Sequence, residues 1–164
     1  MTTLHITPCE PADYDAIDHL TARAYAPSGF AADDPYFIEI LNVAQRAQQA
    51  LVLVARQNSV PVGTLTCALP GSSWQEIARA DEAELRILAV APEQQRHGIG
   101  SALVRASIEH ARHADCTALV LSSAAWMHAG HRLYERLGFR HTPARDWQPR
   151  ADVHLTTYRL ELTP

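Results

Sequence analysis

Apolar and polar positions recur along this chain with two periods, and the shorter period predicts strands. An alternating or continuously apolar run with turn residues at its ends is typical of half-buried or buried strands. Runs of this kind cover residues 4–7, 51–56, 60–69, 84–90, 117–122, 139–142 and 153–161. Asn58 and Ser59 form a tight turn between two of these runs, so we expect residues 51–69 to form a hairpin.

The longer period, with apolar residues three or four positions apart, predicts helices over residues 13–26, 101–114 and 127–137. Asp33-Asp34-Pro35 predicts a further helix start, because aspartate caps a helix and proline fits its first position. Residues 70–81 are predicted to be a loop with one helical turn near 74–78. This order of elements predicts a single domain over residues 1–164. Its expected fold is mixed α/β (α+β), a central mixed sheet of about six to seven strands with helices on both faces.

Composition narrows the classes of protein to which the chain can belong. The net charge of −4 argues against non-specific binding of nucleic acid, and no apolar run approaches the length that spans a bilayer. The N-terminus lacks a signal-peptide pattern, and Cys9, Cys67 and Cys116 are far apart and odd in number. We therefore expect a cytoplasmic protein with reduced thiols, whose partners include neither nucleic acid nor a membrane.

The stretch from Gln95 to Gly100 lies between a predicted strand and a predicted helix and contains two glycines. Glycine lets the backbone approach a ligand closely, and the free N–H groups of a first helical turn attract anions. The sequence therefore predicts an anion-binding site. A dinucleotide fingerprint is excluded because its third glycine would fall at Leu103, and a Walker loop is excluded because the chain has no lysine.

Two motifs follow one another in the second half of the chain. Residues 95–100 have the form Q-x-x-G-x-G and come after the strand exit Leu88 to Pro92, while residues 133–139 have the form L-Y-x-x-x-G-F. In this order, with a strand between them, the motifs resemble those of the GCN5-related N-acetyltransferase (GNAT) family. The close resemblance covers roughly residues 83–140.

The resemblance implies acetyl-CoA as the co-substrate, with its pyrophosphate on the turn and its pantetheine along the strand. The candidate binding residues are Leu88, Ala89, Val90, Gln95, Arg96, His97, Gly98, Ile99, Gly100, Ser101, Met127 and His131. Many family members have asparagine where this chain has Met127, so a contact there is expected to be apolar. For His97 the alternative is a solvated turn. No metal is expected, because no further ligand pattern completes the pair formed by His128 and His131.

Transfer of an acetyl group to an amine needs a base for the amine and a proton for the departing thiolate. Glu84 is the candidate base, directly or through a water, on the same strand face as Leu88 if no bulge intervenes. Tyr134 is the candidate general acid, because its hydroxyl is a donor at neutral pH. The alternatives are a solvent-exposed strand end for Glu84 and a core tyrosine with a bonded hydroxyl for Tyr134.

Two of the cysteines bear on the route of transfer. Cys67 and Cys116 lie in or beside apolar strands and are expected to be small core residues. A covalent acetyl-cysteine intermediate is therefore not expected, and direct transfer in a ternary complex is favoured.

The acceptor is expected near the first two helices and their connection, residues 24–34, the region that commonly shapes the acceptor site in the family. Further candidates lie in the 70–81 loop and in the loop before the closing strand. Aromatic and acidic candidates for its lining are Tyr25, Phe30, Asp33, Trp74, Glu76, Asp146 and Trp147. A structural or merely exposed role is the alternative for each of them. Both a small amine and a peptide or protein N-terminus would suit such a lining.

The leading hypothesis is an acetyl-CoA-dependent N-acetyltransferase that acts on a primary amine. One alternative is a non-catalytic module that binds or senses acyl-CoA. Another is a transferase of a longer acyl group. Family analogy alone suggests a homodimer.

Overall fold

A single mixed sheet organises residues 3–125 and 127–163, which the computed structural model describes. Its eight strands are β1 (Leu4–Pro8), β2 (Leu51–Gln57), β3 (Val60–Ala68), β4 (Glu82–Val90), β5 (Ala118–Ala124), β6 (Arg140–His141), β7 (Trp147–Arg150) and β8 (Val153–Glu161). The order across the sheet is β1-β2-β3-β4-β5-β8-β6, and β7 also pairs with β8. Among the described strands, β4 and β5 form the one parallel pair. The outermost residues of the predicted domain lie outside the described ranges.

Five α-helices are present in the described part of the chain. They are α1 (Tyr14–Tyr25), α2 (Pro35–Ile40), α3 (Val43–Arg46), α4 (Ile99–His113) and α5 (His128–Arg136), and single 3-10 turns cover Pro11–Asp13, Ala26–Ser28, Pro92–Gln94 and Pro143–Arg145. The predicted helix start at Asp34 is confirmed. Its side chain accepts a hydrogen bond from the Tyr36 N–H at 2.9 Å, and Pro35 is the first helical residue.

Alternation along β2 assigns the helices to the two faces of the sheet. Leu53 and Ala55 belong to the core cluster that contains α4, whereas Val52 and Val54 pack with Ile17 of α1. The helix α1 also contacts β3 and β4, and α4 contacts the five strands from β1 to β5. The predicted mixed sheet with helices on both faces is therefore confirmed.

Glu82 connects the start of β4 to β8 and to the turn at Arg145. Its buried carboxylate accepts hydrogen bonds from Arg145 at 2.9 and 3.1 Å, from Arg159 at 3.0 Å and from the Arg79 N–H at 2.9 Å. Burial favours the neutral acid, but the bonds from Arg145, Arg79 and Arg159 outweigh it and lower the pKa of Glu82 to about 2. The ionised carboxylate thus holds β4, β8 and the turn at Arg145 together.

Three local predictions can be compared with the structure. The hairpin of residues 51–69 is confirmed, with positive φ angles of 49° and 66° at its two turn residues. The helical turn near 74–78 is wrong, because the N–H groups of residues 76–78 donate to the Glu84 carboxylate instead. The eighth strand, β7, is not predicted by its pattern, since it is short and contains Pro149, which cannot donate a ladder hydrogen bond.

Candidate active site

A cleft lies in the middle of the sheet, where β4 and β5 separate. Their parallel pairing ends at Leu85 and Leu121. Beyond this point β4 stays paired with β3 as far as Val90, and β5 stays paired with β8 as far as Ala124. A cleft of about 1060 Å³ is lined by residues of both strands. The two separated strand edges leave backbone groups available to an extended ligand that runs between them.

A β-bulge lies on the β4 side of the cleft. The β3–β4 register shifts between Thr64 and Thr66, and Ile87 opposite has a φ of 60°. The bulge reverses the alternation of side chains, because Leu85 packs on the α4 face whereas Ile87 packs on the α1 face. Glu84 is expected to share a strand face with Leu88 only if no bulge intervenes, and with this bulge the two residues lie on opposite faces. Both residues nevertheless line the cleft, because it passes through the gap in the sheet.

The cleft has two ends, which we name after one residue of each. The Gln95 end consists of Gln95, Arg96, Gly98, Ile99, Gly100, Ser101, Arg132 and Arg136. The Glu84 end consists of Tyr25, Tyr36, Glu39, Glu76, Glu84 and Arg86. Strand β4 connects them, since it runs from Glu82 toward Val90 and the chain then turns into α4.

Backbone N–H groups are the main polar feature of the Gln95 end. Gly98 precedes α4 with a φ of 80°, and Arg96 has a φ of 68°. The N–H groups of Ile99, Gly100 and Ser101 donate to no described residue, as is usual in a first helical turn. The dipole of the 15-residue helix α4 adds partial positive charge at the same place. This end therefore suits a phosphate-sized anion.

Close packing supports the turn at the Gln95 end. A Cβ on Gly100 would lie 3.3 Å from the Leu133 side chain and 3.7 Å from that of Leu88. The side-chain amide of Gln95 donates to the Val90 carbonyl at 3.2 Å, which ties the turn to the end of β4. A side chain at position 100 would therefore press on Leu133 of α5 at the start of α4.

Three arginines give the Gln95 end positive charge. Arg96 lies in the turn, while Arg132 and Arg136 are one helical turn apart on α5, and all three line the cleft. Within the described ranges, none of them forms an ion pair. Their charge is therefore available to an anionic ligand.

Glu84 is 1% exposed and lies between the 70–81 loop and the cleft. Its Oε2 atom accepts the N–H groups of Glu76, Ile77 and Ala78 at 2.8, 3.0 and 3.1 Å. Its Oε1 atom has no hydrogen-bond partner among the residues described. The alternative of a solvent-exposed strand end is excluded by this burial. One carboxylate oxygen positions the loop, and the other remains for a ligand.

Tyr134 is buried on α5 and also lines the cleft. Its ring packs against Phe139 and Tyr158, with centroid separations of 5.8 and 6.1 Å. The hydroxyl makes no hydrogen bond to any described residue, which differs from the alternative of a core tyrosine with a bonded hydroxyl. Burial raises the pKa of Tyr134 to about 12, so the phenol is protonated at neutral pH and can donate a proton.

Most of the predicted acetyl-CoA contacts come together. The cleft is lined by Leu88, Ala89, Val90, Gln95, Arg96, Gly98, Ile99, Gly100, Ser101 and Met127. His97 and His131 are not brought to it. The ring of His97 is exposed, with Nδ1 3.2 Å from the Gln94 carbonyl oxygen. The Nε2 atom of His131 lies 3.1 Å from the Ala124 carbonyl oxygen, and its ring packs on Tyr158.

The predicted acceptor residues divide into two groups. Tyr25, Phe30, Glu76 and Trp147 line the cleft, whereas Asp33, Trp74 and Asp146 do not. Trp74 is a buried core residue whose ring centroid lies 4.9 Å from the guanidinium carbon of Arg86. Asp146 binds His141 at 2.8 Å and the Thr157 N–H at 2.8 Å, so its role is to hold the closing strands.

Sequence reasoning missed several charged or aromatic residues of the cleft, namely Tyr36, Glu39, Arg86, Arg132, Arg136 and Arg150. Period-two alternation after Glu84 could have found Arg86. Helical spacing around Tyr134 could have found the two arginines of α5. No local signal marks Tyr36 and Glu39, because only tertiary packing brings α2 to the cleft.

Two further features concern ligands and membranes. Within the described ranges, no three His, Cys, Asp or Glu side chains lie where they could hold a metal ion together. The rings of His128 and His131 are 6.1 Å apart and have no third described ligand. None of the described helices is both long and apolar enough to cross a membrane.

Comparison with known proteins agrees with this geometry. The family model described as "Acetyltransferase (GNAT) family" matches residues 14–139. The chain therefore belongs to the GNAT family of acetyltransferases, as the two sequence motifs predict. No curated protein matches the sequence.

Several solved structures share the fold. The Salmonella typhimurium protein yncA, solved with its cofactor acetyl-CoA, is 23% identical with a TM-score of 0.70, over 98% of this chain and 94% of that one. A GNAT family acetyltransferase from Brucella melitensis in complex with acetyl-CoA is 25% identical with a TM-score of 0.64. The match covers 99% of this chain and 90% of that one. The ribosomal-protein-S18-alanine N-acetyltransferase of Escherichia coli is 25% identical with a TM-score of 0.68. The match covers 96% of this chain and 91% of that one. The predicted fold is confirmed, and two of these neighbours bind the predicted co-substrate.

Proposed function

We propose that this acetyltransferase moves the acetyl group of acetyl-CoA to a primary amine by direct attack within a ternary complex. The observation that carries the proposal is the cleft, which connects an anion-binding helix start to the buried side chains of Glu84 and Tyr134. The name of the Escherichia coli neighbour, an alanine N-acetyltransferase, supports an amino group as the acceptor.

Acetyl-CoA would bind with its pyrophosphate at the Gln95 end. The free N–H groups of the first turn of α4 and the arginines of that end suit two adjacent phosphates. The pantetheine arm, which carries amides, would lie between the separated edges of β4 and β5 and pair with the backbone of residues 88–90 as an added strand would. The thioester would then lie between the two ends, and residues 1–164 would form one catalytic domain.

Glu84 and Tyr134 would each carry out one of the proton transfers of the reaction. An ammonium group must lose a proton before it can attack, and we assign this proton to Glu84, directly or through a water. The amine nitrogen then forms a bond to the carbonyl carbon and loses its second proton to solvent, and the carbon–sulfur bond breaks. The Tyr134 hydroxyl would give its proton to the departing thiolate and recover one from solvent. The products are an amide, the CoA thiol and one released proton.

The cysteines support direct transfer. Burial raises the pKa of Cys67 to about 12 and also raises that of Cys116, while neither thiol lines the cleft. A thiol in this environment has little thiolate at neutral pH and is a poor nucleophile. A covalent acetyl-cysteine intermediate is therefore not part of the proposal.

Replacing Tyr134 by Phe tests the proposal. We expect kcat for transfer to an amine to fall about tenfold or more, because the thiolate loses its proton donor. The Kd of acetyl-CoA, measured by calorimetry, should stay the same. Tyr158→Phe is the matched control, since Tyr158 packs against the same ring but does not line the cleft, and its kcat should change less than about twofold.

Three results would contradict parts of this function. An unchanged kcat in Tyr134→Phe would remove Tyr134 from the mechanism. Binding of acetyl-CoA without transfer to any amine in a panel would favour an acyl-CoA sensor. Faster transfer from a longer acyl-CoA than from acetyl-CoA would reassign the donor.

A further inference from the structure

The Glu84 end of the cleft carries net negative charge. Glu39, Glu76 and Glu84 line it, and one arginine of this end, Arg86, faces them. Nη2 of Arg86 lies 2.8 Å from Oε1 of Glu76, and Nη1 donates to the Trp74 carbonyl at 3.2 Å. With a side chain that is 11% exposed, Arg86 is already engaged by the protein. Among the residues that line this end, one guanidinium thus offsets one of three carboxylates. The buried Arg46 adds a positive charge behind Tyr25 and Tyr36, which Asp18 partly offsets.

The carboxylates are held close to one another. The Glu76 N–H donates to Glu84, which fixes the backbone from which the Glu76 side chain extends. That side chain is 42% exposed, and only its Oε1 is paired with a described residue. Burial and the neighbouring carboxylates of Glu84 and Glu39 raise the pKa of Glu76, an effect that Arg86 opposes. A ligand cation between these groups would relieve their repulsion.

Tyr25 supplies an independent sign that a polar ligand belongs here. It is 8% exposed and lines the cleft, yet its hydroxyl has no hydrogen-bond partner in the described part of the chain. Burial raises its pKa well above the usual value, so the phenol is protonated at neutral pH and can donate a hydrogen bond. The hydroxyl is reached from the cleft, where it can donate a hydrogen bond to a ligand or accept one from it.

An ion pair crosses the rim of the cleft on the acceptor side. Nη1 of Arg150 lies 3.3 Å from Oδ2 of Asp34, which connects the β7–β8 hairpin to the start of α2. The indole N–H of Trp147 donates to the Ser122 hydroxyl at 2.9 Å and holds the same hairpin against β5. The Arg150–Asp34 ion pair joins two walls of the cleft, and we call it the strap. A strap across the opening favours a small acceptor over a polypeptide that must enter as an extended chain.

We propose that the acceptor is a small aliphatic amine that carries a second positive charge and no carboxylate, that is, a diamine or polyamine. This inference rests on the proposed function and names its substrate class. The reacting nitrogen would lie near Glu84 and Tyr134, and the second ammonium group would lie near Glu39 and Glu76. An amino acid would bring its carboxylate into the same negative end.

The test compares amines of matched size as acceptors for the full chain at saturating acetyl-CoA. The probes are 1,4-diaminobutane, butylamine, ornithine and a peptide that begins with alanine, and the readout is release of the CoA thiol. We expect kcat/KM for 1,4-diaminobutane to exceed that for each of the other three by about tenfold or more, since a charge-assisted contact of this kind is worth roughly that factor.

Charge-removing variants identify the source of the preference. Glu39→Gln and Glu76→Gln should each reduce the ratio of 1,4-diaminobutane to butylamine by about threefold or more, mainly through KM. Glu109→Gln is the matched control, because it removes the same charge from an exposed position of α4 outside the cleft. High salt should lower the ratio in the unmodified protein, since it screens a partly exposed charge contact.

The possible results separate this inference from the proposed function. Transfer to butylamine at the same efficiency as to 1,4-diaminobutane would overturn the inference and leave the N-acetyltransferase function intact. A preference for ornithine or for the peptide would also overturn it. If the protein binds acetyl-CoA but transfers the acetyl group to none of the four amines, both the inference and the proposed N-acetyltransferase function would be overturned. An equal loss of the ratio in Glu109→Gln would show that net charge, and not this end, sets the preference.

Discussion

The two ends of the cleft differ in how they are constructed. At the Gln95 end, backbone N–H groups from one turn and the helix that follows it stand beside arginine side chains of that turn and of α5. At the Glu84 end the polar groups are side chains from α1, α2, the 70–81 loop and β4. A backbone site needs only a local conformation, whereas a side-chain site needs distant segments to meet. The first is suited to a donor that many enzymes share, and the second to an acceptor that distinguishes one enzyme from another.

The two ends also differ in charge. Arg96, Arg132 and Arg136 line the Gln95 end, whereas Glu39, Glu76 and Glu84 line the Glu84 end. A protein with a net charge of −4 thus separates its charges along a single cleft. Opposite charge at the two ends would orient an anionic donor and a cationic acceptor before they react.

The largest expected effect comes from Glu82→Gln, which should weaken both ends together because Glu82 holds the start of β4. The pKa of Glu82 is lowered from 4.5 to about 2 in the folded protein. This difference corresponds to a loss on the order of 3 kcal/mol in the free energy of unfolding at pH 7. Urea unfolding measures it, and Glu109→Gln, an exposed partner of Arg112, should cost less than about 0.5 kcal/mol.

The same carboxylate predicts an acid dependence. Because its folded pKa is lowered, the stabilisation from Glu82 is complete above about pH 4.5 and is lost as the pH falls toward about 2. Urea midpoints of the unmodified protein should therefore decline over this range more steeply than those of Glu82→Gln. Parallel declines would show that Glu82 is not the group responsible.

Gly100→Val should damage the Gln95 end alone. A Cβ at this position already lies 3.3 Å from Leu133, so a branched side chain must displace α4 from α5. Overpacking of this kind costs roughly 1–3 kcal/mol, and the Kd of acetyl-CoA should rise about tenfold or more. At saturating acetyl-CoA the ratio of diamine to monoamine transfer should stay the same. A changed ratio with an unchanged Kd would mean that the two ends are not separable.

A double change of Arg132 and Arg136 to Gln should weaken the Gln95 end more mildly. Both side chains are exposed, so we expect the Kd of acetyl-CoA to rise only about fivefold, with a smaller dependence on salt. Acetyl-pantetheine, which lacks the nucleotide, should react as before. Arg105→Gln is the matched control on the exposed face of α4. An equal loss with acetyl-pantetheine would argue against contacts to the phosphates.

The smallest effect is expected from Arg150→Gln, which breaks the ion pair across the rim at the Glu84 end. The pair is partly exposed and is worth at most about 1 kcal/mol. We expect the KM for an alanine-starting peptide to fall about twofold, because the rim opens, while the Kd of acetyl-CoA stays constant. A lower KM for the diamine instead would show that the strap restricts small acceptors as well.

Much of the fold and of the Gln95 end could be predicted from local pattern. The hairpin at Asn58, the cap at Asp34 and the turn at Gln95 depend on residues that are neighbours in sequence. The structure differs from the sequence-based prediction where residues far apart in the chain act on the backbone. The 70–81 loop has no helical turn because its N–H groups bind Glu84, and the bulge at Ile87 reverses the face expected for Leu88.

The sequence by itself determined the family, most of the strands and helices in their order, and the place of the glycine-containing turn before α4, because these depend on periodicity and on short motifs. Only the tertiary structure decided how Glu84 is bonded, which of the acidic and aromatic candidates reach the cleft, and that α2 brings Tyr36 and Glu39 to it. The physical reason is that strand and helix periods are properties of neighbouring residues. The separation of β4 from β5, and the side chains that meet across the gap, result from packing between segments far apart in the chain.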